Sequence, residues 1–168
     1  MERIVVISNG GSGKSTLARQ LAAALNLPLT HLDAVYYDER WQPRSHDDFA
    51  TEQRRLVAQE RWIIEGNYAS TLPIRLAAAD IVIFLDLPAI TCLWGILQRR
   101  MRYRGGQHDD GVYDRITWNF IRYIASYRRA MRPRVRAAVA ADGSAARLLV
   151  LSSRRECTRF LTRIGQPT

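Results

Sequence analysis

The chain has 168 residues, 47% hydrophobic, 9% aromatic and 24% charged, and carries a formal net charge of +9. That length suits one domain, which buries roughly 70% of its unfolded surface, and the apolar fraction excludes wholesale disorder. No stretch reaches the ~18 consecutive apolar residues of a membrane-spanning helix, and the opening MERIVVISNGGSGKST runs into glycines too soon to be a secretory signal.

Arg3 to Ser8 (RIVVIS) is a short β-branched run that stops at glycines, which predicts a buried parallel strand. From Ser15 to Leu25, Leu17, Leu21 and Leu25 recur every four residues among alanines and mark one face of an amphipathic helix. Leu29 to Asp33 (LTHLD) predicts a second strand after the turn at Pro28. His46 to Glu60 predicts a helix, with Phe49, Gln53, Leu56 and Val57 at suitable spacing. Trp62 to Glu65 (WIIE) and Ile81 to Asp86 (IVIFLD) predict the third and fourth strands, and a helix is expected from Ala89 through Arg104. Gly105 to Gly111 (GGQHDDG) breaks the periodicity and reads as a flexible loop. Helical spacing resumes at Tyr113, with Ile116, Phe120, Ile124 and Tyr127 on one side, and Pro133 is expected to kink or divide that helix. Arg147 to Leu151 predicts a fifth strand, and a closing helix runs to about Ile164. Five apolar strands separated by helices predict an α/β fold with a parallel sheet covered on both faces. Residues 1–168 read as one domain with a short lid-like insert at about 103–113.

Between the first strand and the first helix lies Ser8-Asn9-Gly10-Gly11-Ser12-Gly13-Lys14-Ser15-Thr16, which meets G-x-x-x-x-G-K-[ST] except that Ser8 replaces the first glycine. Glycines let the backbone wrap closely, so the N–H groups of Asn9, Gly10, Gly11, Ser12 and Gly13 can converge on phosphate oxygens. The helix that follows offers its own N-terminal donors and about half a positive charge to the same anion. Lys14 is expected to reach the β- and γ-phosphates of ATP, and the Ser15 hydroxyl to coordinate Mg²⁺. Thr16 is placed to cap the helix start or touch an α-phosphate. A glycine-rich turn without function is the plainer alternative. It is disfavoured by the strand before, the amphipathic helix after, and the placing of the chain's only lysine at the required position.

Ligands of such folds gather at the carboxyl ends of the strands, where Asp33, Glu65 and Asp86 are expected. Glu65, followed by Gly66-Asn67-Tyr68, is the first choice for holding a magnesium-bound water. Asp33 suits contact with the phosphate acceptor, or removal of its proton as general base. Each of these acids can instead hydrogen-bond loop backbone, and Asp86 can equally brace the phosphate loop. Tyr36, Tyr37 and Trp41 either stack on a planar acceptor or pack under the neighbouring helix. Arg75, in a short helix after Asn67-Tyr68, either grips an acceptor phosphate or is a solvated surface residue. His31, His46 and His108 show no ligand spacing and receive no role. Cys92 and Cys157 lie far apart in no metal-type spacing, so free thiols in a reducing cytoplasm are expected.

Charge is unevenly placed. Residues 1–88 carry 9 basic and 11 acidic side chains, and residues 89–168 carry 16 and 5, so the second half implies an anionic partner. Of the 25 basic residues 24 are arginine, a bias that leaves most of them reading as a solvated basic face. Arg99, Arg100, Arg102 and Arg104 precede the glycine-rich loop, and Arg128, Arg129, Arg132 and Arg134 follow it. Arg100 and Arg104, four apart on a helix, can converge on one phosphate group. Together with Arg128 they are the arginines expected to stabilise a transferring phosphoryl group, a contribution that can reach about 10³–10⁵ in rate.

The segments SGKSTLARQLAAALNLPLTHLDAVYYDERW, RWIIEGNYASTL, IVIFLDLP, LQRRMRYRG and RRAMRPRV resemble a bacterial family of adenylate-kinase-like ATPases, also called DNA topology modulation proteins. The resemblance covers about residues 2–163. The family looks like a branch of the nucleoside monophosphate kinases, which implies a three-layer P-loop NTPase fold with strand order 2-3-1-4-5, an ATP site at the phosphate loop and a lid between the arginine clusters. By that likeness Glu65-Gly66 stands where those kinases have Asp-Gly, and Arg100 and Arg104 where they have lid-hinge arginines. The chain departs from adenylate kinases in having Asn67-Tyr68 rather than an arginine after that pair, and in its short lid.

These readings combine into an expected Mg·ATP-dependent kinase acting on a small acceptor, a nucleotide or nucleoside, with Asp33, Tyr37, Trp41, Asn67, Tyr68 and Arg75 on the acceptor side. The alternative is an ATPase whose basic second half grips nucleic acid, with affinity that falls steeply with salt. No membrane partner is expected, and both a monomer and a homodimer remain open.

Overall fold

The computed structural model describes residues 2–38, 40, 42–103, 118–141 and 146–165. Trp41, Arg104, the 105–111 loop and the 104–113 part of the expected lid lie outside the described residues. The elements in order are β1 (Arg3–Ser8), α1 (Lys14–Leu25), β2 (Leu29–His31), α2 (Leu32–Tyr36), α3 (His46–Val57), β3 (Trp62–Glu65), α4 (Leu72–Ala78), β4 (Ile81–Leu85), α5 (Ala89–Tyr103), α6 (Trp118–Ala141), β5 (Arg147–Leu151) and α7 (Arg154–Ile164).

The strands form one parallel sheet in the order β2-β3-β1-β4-β5. Parallel neighbours need crossovers long enough to hold helices, and those helices cover both faces. The two-residue period of β1 shows how. Val5 and Ile7 join Ile64, Phe84, Phe49 of α3, Leu72 and Leu76 of α4, and Tyr127, Met131 and Val135 of α6. Ile4 and Val6 join Ile63, Ile83, Leu17 and Leu21 of α1, and Cys92 and Ile96 of α5, with Phe160, Leu161 and Ile164 of α7 at the edge. The result is the three-layer α/β/α arrangement that the alternation of elements predicts.

Two local expectations are corrected. The second strand stops at His31, and Leu32–Tyr36 turns into a helix, so Asp33 sits in a first helical turn rather than at a strand end. At the change of element the fully buried Leu32 side chain packs into the core beneath the sheet end. Pro133, in turn, does not divide α6, which runs unbroken from Trp118 to Ala141. A proline inside a helix costs roughly 3 kcal/mol. Here it faces solvent while Met131 and Val135, 6% and 0% exposed, anchor the turns on either side.

Candidate active site

The carboxyl ends of the strands come together on one rim. Register pairs Glu65 with Val6 of β1 on one side and with His31 of β2 on the other, while Ser8 pairs with Leu85 of β4. The loop that leaves β1 is held by its own side chains. The buried Ser8 hydroxyl donates to the Asn9 carbonyl at 3.0 Å and shares a 2.6 Å hydrogen bond with Ser12. Ser8 keeps a negative φ, so its departure from glycine strains nothing. Asn9 accepts from the Gly10 N–H at 2.9 Å and donates to the Ile124 carbonyl of α6 at 2.9 Å.

The glycines that the loop requires are Gly11 and Gly13, with φ of +74° and +89°. At Gly11 a Cβ would lie 2.1 Å from the Cys92 carbonyl oxygen, and at Gly95 a Cβ would lie 2.0 Å from the Gly11 oxygen. The loop therefore rests directly on the backbone of α5, and only hydrogen fits at either position. Gly13 is the N-cap of α1 and faces open space. No side chain caps this helix and no acid lies in its first turn. Its orphan N–H groups, with their partial positive charge, are presented to any arriving anion.

Lys14 donates to Oε2 of Glu65, and the Ser15 hydroxyl lies 3.3 Å from Oε1 of the same carboxylate. His31 Nδ1 lies 2.7 Å from Oε1. Glu65 is 2% exposed. Burial pushes its carboxyl pKa up, but the His31 hydrogen bond and the charge and hydrogen bond of Lys14 outweigh that and hold it below the ordinary value. Glu65 is thus a buried anion that gathers the two loop residues expected to meet phosphate and metal. Ser15 and Glu65 offer two hard oxygen ligands, which fits Mg²⁺, an ion that takes one or two protein oxygens and completes its shell with phosphate oxygens and water. Among the described residues no group of three or more His, Cys, Asp or Glu side chains could form an all-protein cage.

On the neighbouring rim, the Tyr68 hydroxyl donates to Asp33 Oδ1 at 2.7 Å. Burial first, then the Asp33 charge, push the Tyr68 pKa far above its usual value, so the phenol stays protonated and orients the carboxylate. Tyr123 of α6 stands 44% exposed and packs edge-on to Tyr127 at 5.6 Å; burial first, and then the charge of Asp33, raise its pKa.

Solved structures of this shape supply the comparison. A shikimate kinase from Acinetobacter baumannii in complex with shikimate matches with a TM-score of 0.63 at 15% identity, covering 98% of this chain and 90% of that one. A gluconokinase from Sinorhizobium meliloti 1021 matches at 0.55 and 17%, covering 98% and 93%. A shikimate kinase from Aquifex aeolicus matches at 0.53 and 14%, covering 96% and 92%. The fold is that of the P-loop kinases. No family model and no curated protein matches the chain by sequence.

Within this P-loop kinase fold several expected site residues take other work. Arg75 is neither solvated nor turned outward for an acceptor phosphate. It is fully buried, and its guanidinium donates to the carbonyls of Gly66 at 2.7 Å, Asn67 at 2.9 Å and Tyr68 at 3.2 Å. Those carbonyls point inward because the loop after β3 passes through positive φ at Gly66 (146°) and Tyr68 (29°). Burial lowers the Arg75 pKa from its usual value without bringing it near neutrality. The Asn67 side-chain oxygen accepts from the Ser8 N–H and from the Tyr127 hydroxyl, both at 3.1 Å, and so ties the P-loop to α6.

Arg128 also has a partner in the fold: its Nε donates to Asp86 Oδ1 at 3.0 Å, with the side chain 42% exposed. Arg132 Nε lies 3.1 Å from the other oxygen of Asp86, an ion pair without hydrogen-bond alignment. Asp86 therefore braces α6, not the P-loop. Its side chain is 1% exposed, and a buried carboxylate needs such counter-charge. Tyr36 packs edge-on to Phe49 of α3 at 4.9 Å and tilted to Tyr68 at 5.0 Å, and edge-on to Tyr37 at 4.9 Å. It takes the packing alternative, with Tyr37 beside it at the rim. Thr16 is exposed in the first turn of α1 and Arg100 is exposed on α5.

His31 is the residue that reading the sequence missed. Its signal was weak: a histidine at a strand end becomes informative only once the register sets it beside Glu65. Tyr123 was missed for the same reason, since Asp33, whose charge it feels, lies far from it in the chain.

Proposed function

We propose that this protein is an ATP-dependent kinase that moves the γ-phosphoryl group to a hydroxyl of a small molecule. The observation that carries the reading is the pairing of the only lysine with a buried Glu65 beside Ser15, at an uncapped helix N-terminus. When triphosphate enters, the loop N–H groups and the first turn of α1 take its oxygens, and Lys14 exchanges Glu65 for the β- and γ-phosphates. Glu65 and Ser15 are the residues that would hold Mg²⁺, which neutralises charge on those phosphates. Asp33, oriented by Tyr68, accepts the proton of the acceptor hydroxyl as its oxygen bonds to the γ-phosphorus and the bond to the ADP oxygen breaks.

With Arg75 withdrawn into the loop, the described acceptor side offers Asp33, Tyr37, Tyr68 and Tyr123, groups that suit an acceptor held through its own hydroxyls, such as a nucleoside. That a shikimate kinase and a gluconokinase share the fold supports a small acceptor. Arg100 and Arg104 remain the candidates for closing over the transferring group, and the likeness to adenylate-kinase-like ATPases stands as part of the same reading. A cytoplasmic setting suits both ATP and the two free thiols. The test is incubation with Mg·ATP and a panel of nucleosides, nucleotides and small hydroxy compounds, following ADP and labelled products. ADP formed in step with one phosphorylated acceptor is the expected result. Absence of both ATP binding and turnover would overturn it.

One observation favours a second reading, a nucleic-acid-binding ATPase. Arg154, Arg155, Thr158, Arg159, Thr162 and Arg163 share one shallow, open surface of α7. ADP release without any phosphorylated acceptor, stimulated by DNA and lost as salt rises, would support this reading over the kinase.

A further inference from the structure

Helix α5 is apolar on two opposite faces. Cys92 and Ile96 face inward, 0% and 3% exposed, in the core that supports the P-loop. Ile90, Trp94, Leu97 and Met101 face outward, 76%, 53%, 45% and 59% exposed. The large apolar side chains that stand exposed among the described residues all belong to α5 and α6. At about 100° per residue the four outward side chains fall within an arc of roughly 60°, almost diametrically opposite Cys92 and Ile96. Their spacing of four, three and four residues is that of an a/d coiled-coil seam.

We propose that this seam is the interface of a two-fold homodimer in which α5 of one copy packs antiparallel on α5 of another. The spacing reads the same in both directions. A two-fold axis midway between Trp94 and Leu97 therefore sets Ile90 of one copy against Met101 of the other, and Trp94 against Leu97, so the patch is its own complement. Antiparallel packing also keeps the Arg99 and Arg100 ends of the two helices apart, whereas parallel packing would bring like charges together. A large side chain carries roughly 150–250 Å², so these four present on the order of 500 Å² per copy. That reaches the upper range of patches on monomers, ~300–600 Å², and supplies over half of the ~800 Å² per partner in a stable interface. A membrane surface fits less well, because an interfacial helix needs a wide apolar face and this stripe is narrow. The proposal does not depend on the kinase reading, since neither Trp94 nor Leu97 belongs to the site.

Sedimentation equilibrium of the full chain tests it, at concentrations up to roughly 100 µM, a range in which an interface of this size associates. The wild-type chain is expected to be a dimer that persists when salt is raised to about 0.5 M, since apolar contacts are not screened. Leu97→Glu and Trp94→Glu should each weaken self-association by at least about 30-fold, as loss of a central anchor does. Their circular-dichroism spectra should match the wild type, because both side chains are exposed in the folded chain, and their melts should match that of the wild type diluted until it is monomeric. Met101→Glu at the seam's end supplies a further variant should either of these fail to fold, and Gln98→Ala, off the seam, should stay dimeric. A wild-type chain that is monomeric throughout overturns the proposal, whether residues 104–117 or phosphatidylserine vesicles prove to cover the stripe. So does a dimer that dissolves in salt or survives Leu97→Glu.

Discussion

The two halves of the molecule use charge in opposite ways. Around the P-loop, charged groups are few, buried or half-buried, and committed: Glu65 to Lys14 and His31, Arg75 to three carbonyls, Asp33 to Tyr68. In α5, α6 and α7 arginines are many, and most stand in solvent, with Arg128 and Arg132 tied to Asp86. A buried charge must be matched in place because its desolvation is expensive, while an exposed one can be altered at little cost. Position, not abundance, decides which charges shape the site.

That contrast orders the expected effects of substitution. The largest belongs to Arg75→Met, which takes the guanidinium donor from the Gly66 and Asn67 carbonyls and leaves that of Tyr68 with Thr71 alone. At about 1–3 kcal/mol for each unsatisfied group, a loss of roughly 3–5 kcal/mol is expected in urea unfolding, and a variant as stable as the wild type would show that the brace is idle. Next comes Lys14→Ala, expected to lower turnover by about 10²–10³, the usual cost of removing one preorganised electrostatic contact. Unchanged ATP affinity and rate in that variant would refute the P-loop assignment. Gly95→Ala should cost about 1–3 kcal/mol by forcing α5 away from Gly11, and should weaken nucleotide binding although it touches no phosphate. Isothermal titration with an ATP analogue reads the second effect, and normal binding would mean that the loop tolerates the shift.

A smaller effect concerns pH. The Glu65 pKa is lower in the folded protein than its ordinary 4.5. Its contribution to stability is therefore complete above that value and is lost as pH falls through the folded pKa. Melting curves of the wild type and Glu65→Gln should accordingly converge as the solution is acidified from 4.5 downward, and parallel curves would contradict the buried ion pair. The smallest effect is expected on the other side of the comparison. Arg155→Ser combined with Arg159→Ser should move the Tm by no more than about 2 °C and leave ATP turnover unchanged. A large change would mean that the basic face of α7 is structural after all.

Much of the fold was legible in the chain because its cues are local. Strand runs such as RIVVIS and WIIE carry β-branched or bulky apolar residues without a break, and Leu17, Leu21 and Leu25 repeat at helical spacing. The candidate phosphate loop was legible because its parts are contiguous. Asp33 was misplaced by one element, since Leu29 to Asp33 has strand-like composition, and the turn into α2 at Leu32, where that side chain enters the core, carries no local signal. Arg75 was read as solvated or phosphate-gripping because arginine usually is, and nothing nearby in sequence signals a buried carbonyl cluster; nor does anything near Arg128 signal that its Nε meets Asp86.

The amino-acid order by itself determined the alternation of strands and helices, the phosphate loop and the lopsided charge, all of which depend on neighbours a few residues apart. Tertiary structure alone decided that Lys14 meets Glu65, that His31 joins them, and that Asp86 claims Arg128, partners separated by 51, 34 and 42 positions. Such pairings exist only once parallel strands fall into register and helices settle on the sheet. The physical reason is that burial makes an unmatched charge costly, and which groups become buried is a property of the packed chain.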